Sequence, residues 1–307
     1  MGGGIFGAVL ECVPNVSEGR RGAVISRLVS AVSAPGVRVL DVSSDADHNR
    51  TVLTLAGEEE ALIGGLLGLY EAALAEIDLR AHQGVHPRLG AVDVVPFVPL
   101  GETPMAAAVG AAKRLAVEVA RRFDLPVFLY EEAAVRQDRR SLAAIRRGGF
   151  EGLARKLADA AWTPDFGPSR PHPSGGATVI GARFFLIAWN VVLDTADVAV
   201  ARAVARAVRE TGGGLPAVRA LGFYLASRGQ AQVSMNLVDF RRTSLSRALD
   251  RVRDEAAARG ARVVASELVG LLPEQAALDV VRETLQLPAL DASRLLEERL
   301  RATGTGA

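Results

Sequence analysis

Hydrophobic positions follow two different periods along the second half of the chain. Apolar, β-branched runs predict strands, and apolar residues that recur every three or four positions predict helices. The predicted strands are 181–193, 218–226, 231–239 and 261–270. The predicted helices are 194–211 and 244–259, each followed by glycine. The resulting order, strand–helix–strand–strand–helix–strand, is that of the ferredoxin-like (split βαβ) unit.

The first half of the chain has nearly the same order. Its predicted strands are 9–13, 37–43, 51–57 and 91–100. Its predicted helices are 22–33 and 59–77, and a further helix, 104–123, and strand, 126–130, extend the unit. We therefore predict an α/β (α+β) fold of two ferredoxin-like βαββαβ subdomains with mixed sheets. One larger α/β domain is the alternative.

A segment rich in proline and glycine divides the two halves. Residues 163–176 read TPDFGPSRPHPSGG, and their four prolines oppose a helix. We interpret this segment as a linker, which gives predicted domains at 1–176 and 177–307. A simple hinge and a ligand-binding wall are both compatible with its composition.

Composition limits the classes of function. The chain is 49% hydrophobic and 23% charged, which is typical of a globular protein. Its net charge of +1 offers no electrostatic attraction for nucleic acid or an anionic membrane, and neither partner is expected. The single cysteine, Cys12, permits no intrachain disulfide. With no basic signal-peptide region at the start, a cytoplasmic location is expected.

Two of the four histidines lie close together after the predicted helix 59–77. His82 and His86 occur in RAHQGVHPRLGAVD. Their spacing would suit a metal pair on a helix, but Gly84 and Pro87 oppose a helix there, so no metal is predicted. A loop histidine with a pKa near neutrality can act as a general acid–base. A purely structural histidine is the other interpretation.

A polar turn, DVSSDADHNRT, separates two predicted strands at 41–51. Aspartate and asparagine favour solvated turns, which is one interpretation. The same side chains could also bind a polar amino-acid substrate, with an arginine forming a bidentate contact to a carboxylate. The candidates are Asp41, Asp45, Asp47, His48, Asn49 and Arg50.

Several longer stretches resemble the glutamate formiminotransferase (formimidoyltransferase) family. They are ECVPNVSEGR at 11–20, LDVSSDADHNRTVLTLAG at 40–57, HQGVHPRLGAVDVVPFVPL at 82–100, PVFLYEEAA at 126–134, PDFGP at 164–168, GATVIGARFFLIAWNVVLDT at 176–195, AQVSMNLVDF at 231–240 and SELVGLLP at 266–273. The strings HPRLGAVDVVPFVP and QVSMNLVD are the most specific of these. The resemblance extends over nearly the whole chain.

The resemblance implies an enzyme of one-carbon metabolism. Such enzymes transfer the formimino group from N-formimino-L-glutamate to N5 of tetrahydrofolate, a step of histidine degradation that yields 5-formiminotetrahydrofolate and L-glutamate. Tetrahydrofolate is the co-substrate, and no metal is implied. The resemblance also implies a ligand tunnel between two subdomains, a homodimer, and a monofunctional form without a cyclodeaminase domain.

The resemblance also assigns roles to residues. His86 matches the catalytic histidine, the general acid–base. The polar turn and the histidine loop add the expected substrate-binding or orienting residues, which are Asp41, Asp45, Asn49, Arg50, His82 and Arg88. The implied folate-binding stretch is Gly167, Pro168, Ser169, Arg170, Pro171, His172, Pro173, Ser174, Gly175 and Gly176. Two positions depart from some family members: Ser43 replaces an aspartate, and Gly175 replaces an aromatic residue.

Other functions remain compatible with these residues. A related one-carbon transferase could use formiminoglycine or a formyl donor. A non-catalytic folate-binding protein could retain the same stretches. A metal hydrolase could use His82, His86 and Asp47 as ligands.

Overall fold

The computed structural model describes residues 9–302 and divides the chain into two compact units, the first ending at Phe184. The strands of the first unit are β1 (Val9–Cys12), β2 (Asn15–Val16), β3 (Arg38–Asp45), β4 (Arg50–Glu58), β5 (Val92–Pro99), β6 (Val127–Glu131) and β7 (Thr178–Ala182). Its helices are α1 (Gly22–Val32), α2 (Glu59–Glu76), α3 (Met105–Phe123), α4 (Leu142–Arg146) and α5 (Leu153–Leu157).

The second unit begins at Phe185. Its strands are β8 (Ile187–Leu193), β9 (Val218–Leu225), β10 (Gln230–Leu237) and β11 (Val263–Val269). Its helices are α6 (Val198–Val208), α7 (Leu245–Ala257), α8 (Glu274–Leu285) and α9 (Leu296–Ala302).

The first sheet has the ferredoxin-like strand order with two strands added at one edge. β1 and β2 are two parts of one interrupted strand, since both pair antiparallel with β4 on one side and with β5 on the other. Pro14 lies at the interruption and has no N–H to donate to a neighbouring strand. β3 pairs with β4 at the outer edge. Beyond β5 follow β7 and then β6, both in parallel pairings.

Three helices cover one face of this sheet. Leu53 and Leu55 lie two positions apart on β4, so both point toward α1 and α2, and both are fully buried. Each such side chain stabilises the fold by about 1.5–3 kcal/mol. The inward positions of α3 are mostly small, which permits close approach to β5 and β7; they include Ala108, Ala111, Ala112 and Ala116. α4 and α5 pack on the opposite face, over β5, β6 and β7.

The second sheet has the order β11–β8–β10–β9, and every neighbouring pair is antiparallel. This is the ferredoxin-like order, so the predicted βαββαβ arrangement is confirmed for this unit. The prediction of a mixed sheet holds for the first unit only. In the second unit α6 connects β8 to β9, with β10 between them, and α7 connects β10 to β11, with β8 between them. The parallel strands are therefore never neighbours. α6 and α7 close its core on one face.

The apolar run 181–193 is two strands, and the prediction of one strand there is wrong. β7 ends at Ala182 within the first sheet, and β8 starts at Ile187 within the second. Between them Arg183 donates its backbone N–H to Phe97, and Phe184 is 56% exposed. A continuous apolar run does not reveal where the chain passes from one sheet to another.

The proline-rich segment 163–176 lies within the first unit, because β7 follows it and pairs between β5 and β6. The division after Phe184 therefore differs from the predicted domains 1–176 and 177–307 by one strand. The end of the segment is a tight turn in which His172 and Gly176 exchange two backbone hydrogen bonds of 2.8 and 3.0 Å. Ser174 accepts the backbone N–H of Leu79 at 2.9 Å, which joins the turn to the end of α2.

Gly176→Ala is expected to lower the free energy of unfolding by at least about 2 kcal/mol. Gly176 is buried with φ +69°, and a Cβ there would lie 2.2 Å from the carbonyl oxygen of Leu89. Left-handed backbone and a clash with main chain both oppose the substitution. Urea unfolding measures the loss.

Gly229→Ala is the matched control for that variant. Gly229 has φ +63°, but its Cβ would meet no atom of the described residues within 4 Å. It therefore isolates the backbone cost of about 1–2 kcal/mol. Equal losses in the two variants would show that the close packing of Gly176 is unimportant.

Candidate active site

The hairpin between β3 and β4 brings three polar residues of the predicted cluster into the protein. The Asp45 carboxylate accepts the backbone N–H of His48 at 2.7 Å, which fixes the turn. Asn49 adopts φ +49°, a conformation that asparagine tolerates better than most residues. His48, Asn49 and Arg50 are each less than 9% exposed. The interpretation of 41–51 as a purely solvated turn is therefore wrong at its C-terminal end.

Asn49 connects the hairpin to two other loops. Its side-chain oxygen accepts the N–H of Gly19 at 2.9 Å, and its amide nitrogen donates to the carbonyl of Gln83 at 2.9 Å. Gly19 lies so close to the hairpin that a Cβ would be 2.2 Å from the carbonyl oxygen of Asp45. The sequence stretches 11–20, 40–57 and 82–100 thus meet at Asn49.

His82 uses both ring nitrogens within the protein. Its Nε2 lies 2.9 Å from the carbonyl oxygen of Asn49, and the Nε of Arg88 donates to its Nδ1 at 2.9 Å. A carbonyl only accepts and an arginine only donates, so the ring is neutral with its hydrogen on Nε2. Burial lowers the pKa of His82, and the Arg88 charge acts in the same direction. Arg88 is itself paired with Glu151 at 2.8 Å.

His86 has a different arrangement. Its Nδ1 lies 2.8 Å from the carbonyl oxygen of Pro87, so Nδ1 carries the hydrogen and Nε2 of the neutral ring carries the lone pair. The half-buried ring lies 5.7 Å from the ring of His48, measured between centroids. Desolvation lowers the pKa of His86 well below its usual value, and the charges of Arg50 and Arg146 add to this effect. The imidazole is therefore a base, not a cation, at neutral pH.

A buried ionic group lies beside these histidines. Asp93 is 0% exposed and pairs with Arg50 at 2.8 Å and with Arg146 at 2.5 Å. Its other oxygen accepts the backbone N–H of Leu89 at 2.8 Å, which ties the loop after His86 to β5. Burial alone would raise the pKa of Asp93, but the two arginine charges hold it far below its usual range. Burial and the Arg146 charge lower the pKa of Arg50 to about 10.

Arg50 is fully engaged within the protein. Besides Asp93, its Nε and Nη2 donate to the side-chain oxygen of Asn15 at 2.9 and 2.7 Å. Both sides of its planar fork are therefore occupied by protein groups. The structure fits an orienting residue better than one that binds a substrate carboxylate.

Asp41 lies apart from this cluster. It occupies the middle of β3, paired in register with Thr54, and its carboxylate accepts the hydroxyl of Ser43 at 2.7 Å. Three residues of extended strand separate it from Asp45. The hydrogen bond also shows what Ser43 does here, where some family members have an aspartate.

The site contains residues that the sequence interpretation missed: Asn15, Asp93 and Arg146. A signal existed for Asp93, because a single carboxylate inside the apolar run AVDVVPFVPL is unusual unless it is paired. No comparable signal marks Arg146, since the chain has many arginines and this one lies on the short helix α4.

The proposed folate stretch is partly buried and partly exposed. Gly175 and Gly176 are buried against the first unit, whereas Gly167, Ser169 and Arg170 are exposed. Arg170 forms an ion pair with Asp124. The imidazole of His172 accepts the N–H of Gly175 at 2.9 Å and so stabilises the terminal turn.

Residues 9–302 contain no group of three or more His, Cys, Asp or Glu side chains placed to hold a metal ion. No helix in that range is long and apolar enough to cross a membrane.

Two family models match consecutive parts of the chain. The N-terminal subdomain of the formiminotransferase domain matches residues 9–183, and the formiminotransferase domain matches residues 188–290. Each matched range lies within one of the two structural units. The matched models, together with the fold, define a transferase built from two α/β subdomains. The chain belongs to the formiminotransferase family.

Relatives over nearly the full length agree with this assignment. A glutamate formimidoyltransferase of Streptococcus pyogenes is 42% identical over 294 residues, covering 95% of this chain and 98% of the relative. One from Thermoplasma acidophilum is 44% identical, covering 95% and 97%. The formimidoyltransferase-cyclodeaminase of Rattus norvegicus is 44% identical over 88% of this chain, and the match spans 51% of that relative.

Proposed function

We propose that this protein transfers the formimino group of N-formimino-L-glutamate to N5 of tetrahydrofolate, giving 5-formiminotetrahydrofolate and L-glutamate. One structural observation carries the proposal beyond the family assignment. The neutral imidazole of His86 is held in one tautomer by the Pro87 carbonyl, beside the buried Asp93 ion pairs. That arrangement supplies a proton acceptor at neutral pH, which the transfer requires.

The reaction needs one proton to move between two nitrogens. N5 of tetrahydrofolate attacks the formimino carbon, which forms a new C–N bond, and N5 must lose its proton. The bond from that carbon to the glutamate nitrogen then breaks, and the departing nitrogen gains a proton. Nε2 of His86 accepts the first proton and donates it to the second nitrogen. Such acid–base catalysis contributes on the order of 10²- to 10⁴-fold.

The other predicted residues act through His86 or through the loops around it. Asn49 and His82 hold the hairpin against the loop that carries His86. Arg88 fixes the tautomer of His82, and Arg50 keeps Asp93 ionised. We infer that these are positioning residues. The exposed part of 167–176 is proposed to contact folate, with the buried turn 172–176 as its anchor.

The pH dependence of kcat/KM tests the state of His86. Because its pKa is depressed, we expect the acidic limb to lie below pH 6.5 and the rate to stay flat between that limb and neutrality. Arg146→Gln removes a positive charge and should move the limb to higher pH. A wild-type limb at or above pH 6.5 would contradict the neutral-base assignment.

The same pKa shift has a consequence for stability. A histidine whose pKa is lower in the folded than in the unfolded chain binds protons preferentially when unfolded. Its contribution to stability is complete above about pH 6.5 and is lost as the pH falls below that value.

Turnover with formiminoglutamate and tetrahydrofolate tests the proposed function directly. Formiminoglycine is the control donor, because it has the same reacting group and lacks the glutamate side chain. A higher kcat/KM for formiminoglycine would identify a related one-carbon transferase instead. Binding of tetrahydrofolate without turnover of either donor would favour a non-catalytic folate-binding protein. A homodimer and a cytoplasmic location remain predictions.

A further inference from the structure

Lysine is rare in this chain, and one of its two lysines has an unusual environment. Lys113 is exposed on α3, as is usual for lysine, whereas Lys156 on α5 is half-buried. The Nζ of Lys156 lies 4.4 Å from the centre of the Trp162 ring. It also donates to the carbonyl oxygens of Ile145 and Ala144, at 2.5 and 3.4 Å. The amine therefore lies at the C-terminal end of α4, where carbonyl groups lack partners within the helix.

The surroundings of Lys156 disfavour its charged form. Burial lowers the pKa of Lys156 to about 8, and the charge of Arg147 acts in the same direction. The amine is thus about half neutral at that pH, against less than about 1% for an ordinary lysine. Asp159, the next acidic residue in the chain, accepts the backbone N–H of Ala161 at 2.9 Å and so stabilises the following turn.

A neutral Lys156 can keep both carbonyl contacts and still react. An uncharged amine has two N–H groups and one lone pair. The two N–H groups suffice for the carbonyls of Ile145 and Ala144, so the lone pair remains available. A lysine amine that is desolvated and lies near another cation is a typical activated nucleophile.

We propose that Lys156 is a modification site that reacts with acyl phosphates, a class of small anionic metabolites. The neutral amine attacks the acyl carbon and forms a C–N bond, and the bond from that carbon to the phosphate oxygen breaks. The phosphate leaves and takes up the proton that the amine loses. Arg147 is exposed and its charge acts on the amine, so a phosphate-bearing reagent is favoured over an uncharged one.

Acylation of Lys156 would also change the contacts of α4. An acylated amine has one N–H and no charge, so one of the two carbonyl contacts must be lost. α4 has only five residues, and its last residue, Arg146, pairs with the buried Asp93 at 2.5 Å. The modification would therefore loosen the helix that holds one of the arginines of the candidate active site.

The test treats the wild-type protein with acetyl phosphate at pH 8 and follows each lysine by peptide mass spectrometry. Lys113 is the exposed control within the same chain. Lys156 should be acetylated about 10-fold faster, because its larger neutral fraction outweighs the lower basicity of the amine. Its rate should rise up to about pH 8 and be nearly constant above that value. Acetylation of Lys156 at the same rate as Lys113, or more slowly, would overturn the proposal.

Arg147→Gln tests the preference for an anionic reagent. The rate with acetyl phosphate is divided by the rate with uncharged p-nitrophenyl acetate, which cancels any change in the pKa of Lys156. We expect this ratio to fall about 3-fold or more at Lys156 and to stay unchanged at Lys113. An unchanged ratio at Lys156 would overturn the assignment to acyl phosphates.

Hydrogen exchange tests the effect on α4. Lys113→Arg leaves Lys156 as the one lysine that can be modified. After acetylation, backbone amides of residues 141–147 should exchange about 10-fold faster or more, and those of α6 should not change. Lys156→Arg, treated in the same way, should show no change and also controls for acetylation of the amino terminus. Unchanged exchange in acetylated Lys113→Arg would overturn the effect on α4. None of these measurements depends on turnover, so they stand even if the proposed function fails.

Discussion

His86→Ala is expected to lower kcat at least 100-fold while the protein remains folded and still binds tetrahydrofolate. The imidazole is the proton carrier between N5 and the glutamate nitrogen, and such a group contributes on the order of 10²- to 10⁴-fold. His86 lies on a loop and its ring is only half-buried, so its removal should cost little stability. Steady-state turnover with formiminoglutamate measures the effect, and urea unfolding checks the fold.

Two companion measurements separate catalysis from positioning. Added imidazole should restore part of the activity of His86→Ala, because a free base can enter the space that the side chain leaves. His82→Ala should lose less activity, and imidazole should not restore it, since His82 acts through two fixed hydrogen bonds. A larger loss for His82→Ala than for His86→Ala would reverse the two roles.

Asp93→Ala is expected to destabilise the protein by about 3–5 kcal/mol. The substitution leaves Arg50 and Arg146 buried side by side without their shared counter-ion, and it removes the acceptor for the backbone N–H of Leu89. Chemical denaturation at pH 7 measures the loss. Asp93→Asn keeps an acceptor for Leu89 but not the charge, so its loss should be intermediate.

Asp138→Ala is the matched control for the buried carboxylate. Asp138 also pairs with an arginine, Arg136 at 2.8 Å, but both side chains are exposed. Exposed ion pairs contribute little, so this variant should unfold at nearly the wild-type denaturant concentration. If Asp93→Ala were as stable as Asp138→Ala, the buried ion pairs would not organise the site.

The periodicity of the chain was sufficient to predict both ferredoxin-like units, because each depends on local alternation of apolar residues. It could not locate the junction at 183–186, where an apolar run continues from one sheet into the next. It also placed the proline-rich segment between units, because composition does not show which strand follows in which sheet.

The parts of the candidate site that could be predicted are those marked by a local sequence pattern. The loop with Pro87 indicated that His86 is not on a helix, and the polar turn allowed a binding role as one of two interpretations. The partners of Asp93 were not predictable, since Arg50, Arg146 and Leu89 meet it only through tertiary packing.

The position of β7 also determines when the first unit can fold on the ribosome. β6 is synthesised well before β7, yet among the described strands it pairs with β7 alone, and β7 separates it from β5. A nascent chain that ends before Thr178 therefore exposes the edge of β5 and an isolated β6. Unpaired edges of this kind promote aggregation. The edges of β5 and β6 become paired only after β7, the last strand of the first unit, has emerged from the ribosome. The segment 163–176 is therefore synthesised while these edges are still unpaired.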